Sequence, residues 1–301
     1  MHQDAEPLAP HFRERLLRPS FMTVTVALAL LVTPSVGFLS TQLRDPIAER
    51  ARWAEEADLA LRADLLAQGL APVRGKSPAV ARLAELGIEV FAPERVFHLE
   101  SGRAQLQGAP ISDGNRERAL ATLAPELGRY PAQFFSRARL RRLLLCSSLH
   151  EDSEAIPSLP NYRGSLLLDV DADASYLRRL VHHEVFHFAD YADDDQLSHD
   201  PAWLALNDRD FVYGSGGRFL REPGVGRFTD QIPGFVSRYA TAALEEDKAE
   251  TFAMRMSAPE KFAELIAEDA IVRAKSAALE TQIRKLSARI DARFFASVDS
   301  R

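Results

Sequence analysis

Cysteine is almost absent from this chain of 301 residues, and the single Cys146 rules out an intramolecular disulfide. Cys146 ends the apolar run Leu143-Leu144-Leu145-Cys146 and so reads as a buried structural thiol rather than a zinc ligand or nucleophile. No lipobox cysteine accompanies the N-terminal apolar segment, which argues against a lipoprotein. No internal repeat or low-complexity tract is visible. The net charge of −6 is spread over mixed-sign patches, which argues against nucleic acid as a main partner. What is present is an ordinary globular composition, with 46% apolar and 27% charged residues, enough to bury a full core. The length fits one large domain or a catalytic domain plus a smaller one.

Long hydrophobic runs are also scarce, and residues 21 to 39 form the most hydrophobic window, after Arg13, Arg15 and Arg18. Nineteen residues of helix would span roughly 28 Å, just enough for a hydrocarbon core. Thr33-Pro34-Ser35-Val36-Gly37 resembles the small-residue end of a secretory signal, with cleavage after Gly37. A signal peptide and an uncleaved membrane anchor both stay open, and either puts the rest outside the cytoplasm. The arginine bias is weak, because Arg44, Arg50 and Arg52 follow the segment.

The expected organisation is therefore a signal or anchor over 1–40, a helical spacer over 41–75, a small α/β segment over 76–112 and a catalytic domain over 113–301. The spacer helix starts at Asp45-Pro46 and repeats apolar residues at Ile47, Ala51, Ala54, Leu61 and Leu65. Ala71 to Pro78 is the linker candidate. Ile88–Phe91 and Val96–Leu99 read as strands, and His98 reads as a packed or surface residue. Asp113 opens a helix, Arg139–Ser147 reads as a strand with Arg137, Arg139 and Arg141 on a solvated face, and Glu151–Tyr162 reads as a loop. Gly164–Val170 reads as a strand just before the next helix. An edge strand so placed can hold an extended partner by backbone pairing.

That next helix carries Leu180-Val181-His182-His183-Glu184-Val185-Phe186-His187-Phe188, with Asp171 or Asp173 as its cap. Two histidines four apart stand one turn above each other and can share a cation. Neutral imidazoles suit zinc, and Glu184, about 100° further round, is placed to take a proton from water at the ion. His182 points the other way and reads as a bystander. The run Asp193-Asp194-Asp195 reads as a solvated helix end, and the glycines between 214 and 226 as loops shaping the cleft.

A later helix, from about Thr241 to Met256, offers the third ligand. Glu246 and Glu250 share a sector with Ala242, Ala243, Ala249 and Ala253, while Asp247, Lys248, Thr251 and Arg255 take the opposite side. Carboxylates among alanines on an inward side need a partner, which a metal and its ligand histidine would supply. The helical wheel by itself leaves Glu245 open as well.

Three ordered motifs resemble the gluzincin-like bacterial zinc metallopeptidases, whose catalytic module is related to that of anthrax lethal factor. They are His183-Glu184-Val185-Phe186-His187, then Pro233-Gly234-Phe235-Val236-Ser237-Arg238-Tyr239-Ala240, then Glu246-Asp247-Lys248-Ala249-Glu250-Thr251-Phe252-Ala253. Trp203, Leu206, Asn207, Phe211 and Tyr213 resemble the family's intervening loop, and the resemblance spans roughly residues 115 to 290. It implies Glu246 as third ligand, Glu250 in the outer shell, and Tyr239 as oxyanion or proton donor. Ala242-Ala243 departs from the more polar approach expected there.

The resemblance and the residues together predict an α+β, zincin-like fold with a small twisted sheet beside the His helix and a mainly helical second half. Residues 258–294 read as two further helices. The expected chemistry is Zn2+ held by His183, His187 and Glu246, with Glu184 as general base, cleaving a protein or peptide substrate. A membrane-tethered, non-catalytic zinc module and an amidase acting on cell-wall peptides are the alternatives.

Overall fold

The computed structural model describes Ile47 and residues 61–299, apart from 75, 76, 102, 103, 132, 221 and 223. The expected signal or anchor over 21–39 lies outside the described residues, and among the described residues no helix is long and apolar enough to cross a membrane. Residues 61–67 are helical, which matches the last part of the expected spacer helix.

The chain then runs β1 (Leu70–Pro72), α1 (Pro78–Glu85), β2 (Glu89–Pro93), β3 (Phe97–Ser101), β4 (Ala104–Ala109) and α2 (Asp113–Leu127). Next come α3 (Phe134–Ala138), β5 (Arg142–Glu151), β6 (Glu154–Ala155), β7 (Ser158–Asn161) and β8 (Ser165–Asp169). The second half is helical: α4 (Ala174–Asp194), α5 (Pro201–Leu204), α6 (Leu244–Ser257), α7 (Pro259–Glu268), α8 (Ala270–Leu286) and α9 (Ala292–Asp299). The mixed architecture agrees with an α+β fold, but the sheet is larger than expected, with eight strands.

Its centre is β5, which pairs in parallel with β2 and β8 and antiparallel with β4 and β6. A strand covered on both faces can be apolar without alternation, which explains Leu143 to Cys146. Leu143 and Leu145 point into the core shared with α2 and α4, while Leu144 and Cys146 point into a second core with Phe91, Phe97 and Leu167. Cys146 is buried there, and burial pushes its thiol well above the usual range. Because β2 and β4 both bond to β5, a continuous sheet runs through the boundary expected at residue 112.

Three local expectations need correction. The linker candidate contains β1, bonded to β2 and entered through a left-handed turn at Gly69. Arg139 is buried rather than solvated, because the chain turns there with positive φ and the guanidinium bonds Asp195 at 2.6 Å. The two helices expected over 258–294 are α7 and α8, and α9 follows them where Asp291 accepts bonds from the Arg293 and Phe294 N–H groups.

The expected loop over 151–162 forms β6 and β7, and this moves the edge of the sheet. The strand Ser165–Asp169 is interior, lying between β5 and β7, whereas β7 pairs with β8 alone among the described residues. Pro157 and Asn161 turn their carbonyls towards the β8 side, accepting from Asp169 and Gly164. Backbone alternation therefore turns Ser158 and Pro160 to the free side, where the missing proline N–H is tolerated.

Candidate metal centre

α4 starts where the Asp173 carboxylate accepts a bond from the Tyr176 N–H at 2.9 Å, and its apolar stripe Leu177, Val181, Val185 and Phe188 seals it against the core. That seating turns His183 and His187 towards α6, the helix packed alongside. Their Nε2 atoms lie 3.0 Å apart. Oε2 of Glu246 lies 3.2 Å from the first and 3.4 Å from the second. Three donors bonded at about 2.0–2.1 Å to one tetrahedral ion would stand about 3.3 Å apart, so the triangle has the size of a zinc site. Among the described residues, His183, His187 and Glu246 are the group whose donor atoms converge in this way. Glu245 is buried nearby but stands outside the triangle.

The electrostatics point the same way. Glu184, Glu246 and Glu250 are all buried, and the guanidinium of Arg179 bonds both oxygens of Glu250 at 2.5 Å. Glu250 also accepts from His183 Nδ1 at 2.9 Å and from the Ser237 hydroxyl at 2.5 Å. Burial raises the Glu250 carboxyl, but Arg179 and His183 outweigh it and bring its pKa to about 2. Glu246 has no comparable fixed cation, and its Oε2 is buried without a well-formed hydrogen bond, as is His187 Nδ1. Burial by itself would lower His183, yet the carboxylates of Glu246 and Glu250 raise it to about 10. The pocket thus draws a positive charge between the histidines and Glu246, and its donor set fits zinc.

The remaining expected residues take definite places. One oxygen of Glu184 accepts a bond from the Ser158 hydroxyl at 2.6 Å, and the other is buried without a partner. The ring of Tyr239 lies 6.1 Å from that of His183. Its hydroxyl and Oε1 of Glu246 meet at Gly217, where a Cβ would fall 2.5 Å from Oε1 and closer still to the hydroxyl. Gly217 belongs to a strap held by Gly214 N–H to Thr241 O at 3.0 Å and Gly216 N–H to Ala242 O at 2.9 Å. The Ala242 contact is through its backbone, so the strap makes no use of a polar side chain at that position.

His182 is fully buried rather than idle, with Nδ1 2.7 Å from the Tyr130 hydroxyl and Nε2 3.1 Å from Glu126. His98 is exposed and Cys146 is buried in the core, and neither belongs to the converging group. Sequence reasoning missed Ser158 and Arg179, and it gave no individual role to Ser237, which lies in the second motif, or to Gly217, which lies in the expected cleft-shaping loops. Arg179 had a readable signal, one helical turn before His183 on the same face. Ser158 had none, because a strand 26 residues upstream of Glu184 delivers it.

No protein-family model and no curated protein matches the chain. Among solved structures it is similar to a protein of Bacteroides caccae, described as a "putative zinc-binding metallo-peptidase", at a TM-score of 0.45 and 14% identity over 84% of this chain and 95% of that one. So loose a likeness carries no weight for the chemistry, which stands on the side chains of this chain.

Proposed function

We propose that the chain is a zinc-dependent peptidase of the gluzincin type, working outside the cytoplasm with residues 21–39 as its signal or anchor. The observation that carries this reading is the triangle of His183 Nε2, His187 Nε2 and Glu246 Oε2, with edges of 3.0, 3.2 and 3.4 Å. Three protein donors are the set of a catalytic site, whereas a structural site closes with four. Bound zinc would supply Lewis acidity, which activates water near neutral pH.

The protein's own residues do the rest. Glu184 takes a proton from the attacking water at Oε2, its unpartnered oxygen. Tyr239, beside Glu246, donates a hydrogen bond to the oxyanion developing on the substrate carbonyl. Glu250 orients His183 through Nδ1 and is itself held by Arg179 and Ser237. An extended peptide adds to the free side of β7, the strand that carries Ser158 to Glu184. The nearness of the Tyr239 hydroxyl to the site weighs against a non-catalytic zinc module.

The test is metal content of the full chain by mass spectrometry, with hydrolysis of labelled casein measured alongside. We expect about one zinc per chain, lost in Glu246→Ala. Glu184→Gln should keep the zinc and lose about 10²- to 10⁴-fold in hydrolysis. A wild-type chain that neither contains nor takes up zinc would sink the assignment, and unimpaired cleavage by Glu184→Gln would remove its general base.

A further inference from the structure

Glu184 is held asymmetrically, and the asymmetry comes from the edge strand. The Ser158 hydroxyl donates to Oε1 at 2.6 Å, while Oε2 is buried and has no hydrogen-bond partner. A buried carboxylate oxygen without a donor is costly unless something else uses it. The β7 backbone does not need this bond for its own stability. It is already paired with β8 over four residues, and Leu159 packs into the core below the sheet. The two faces of β7 therefore have different tasks. Leu159 anchors the strand, and Ser158, on the opposite face, reaches the helix that carries the site.

We infer that Ser158 is a positioning residue for the base of the proposed peptidase, fixing one oxygen of Glu184 so that the other is left to accept the proton. A serine hydroxyl has one hydrogen to donate, so engaging Oε1 selects a single carboxylate orientation. The free side of β7 carries the Ser158 backbone polar groups, so a peptide paired there lies beside the same residue that sets the base. Docking and base alignment thereby meet in one residue. The inference rests on the peptidase reading for its purpose but not for its geometry.

Both aspects are tested on the zinc-loaded full chain. Crystal structures of wild type and Ser158→Ala should show the Glu184 carboxylate rotated or spread over two rotamers in the variant, with equal zinc occupancy. Steady-state cleavage of labelled casein should show kcat down by about 10- to 100-fold with KM little changed. Ser158→Thr, which keeps the hydroxyl and suits a strand, should restore both the carboxylate orientation and kcat. A Glu184 side chain that stays in place in Ser158→Ala would overturn the inference, as would a loss confined to KM. If the wild type binds zinc but cleaves nothing, the peptidase reading fails, and the crystallographic comparison still decides the positioning of Glu184 by Ser158.

Discussion

Helix α6 is buried on two sides that handle charge in opposite ways. On one side, Asp247 is paired with Lys275 at 2.7 Å, and Lys248 with Asp190 at 3.1 Å and Asp200 at 2.7 Å. Trp203 and Tyr213 add hydrogen bonds to Asp247 at 2.9 and 2.6 Å, and Gln282 adds one to Asp190. On the other side, Glu246 faces two histidines, while the Arg179 guanidinium is taken by Glu250. The first side brings its own counter-charges, although one oxygen each of Asp190 and Asp247 is buried without a hydrogen bond. The second is short of positive charge, and its converging donors could hold a cation from outside. Expecting Asp247, Lys248 and Thr251 opposite the glutamates was right as geometry, but all three are buried. α8 and the α5 segment cover that side and supply Lys275 and Trp203.

The comparison can be broken most forcefully on the self-sufficient side. Lys275→Met leaves Asp247 buried without its cation and should lower stability by about 3–5 kcal/mol in urea unfolding. If the two sides are independent, the zinc content of the folded variant stays at one per chain. A loss of zinc in that variant would show that the ion-pair network also sets the metal ligands.

A smaller effect sharpens the metal side. Zinc at about a hundred times its dissociation constant should stabilise the wild type by about 2.7 kcal/mol through mass action. Glu246→Ala should erase that increment, and Lys275→Met should keep it. Differential scanning fluorimetry with and without a chelator distinguishes these outcomes.

The third prediction concerns the strap between the two sides. Gly217→Ala puts a methyl group against the Tyr239 hydroxyl and Oε1 of Glu246, and overpacking of this kind costs about 1–3 kcal/mol. We expect weaker zinc retention in a chelator titration. Gly216→Ala, next to it, has open space for a Cβ but sits at φ 109°, so its penalty is backbone strain without crowding of the site. Equal zinc loss in both variants would mean that strap conformation, rather than contact with Glu246, controls the metal.

Legibility followed sequence separation. The His183–His187 pair, a cap at Asp171 or Asp173 and the Glu246–Glu250 spacing were readable because they are local to single helices. The strand at 165–169 was readable as a strand but not as an interior one. Its edge partner β7 carries Pro160, which with Pro157 and the polar composition made the segment look like a loop. Arg139 was misread because alternation with Leu140 mimics a strand, whereas the chain turns there before β5 begins.

The sequence by itself determined the donor chemistry: two imidazoles and a carboxylate on one helix, and two carboxylates one turn apart on another, since helical periodicity is a local property. Only the tertiary structure decided which glutamate meets the histidines, that Arg179 neutralises Glu250 from 71 residues away, and that Ser158 reaches Glu184. The reason is physical. These contacts join segments that the sheet and the helix pair bring together, and the charge balance of the site exists only once they are packed.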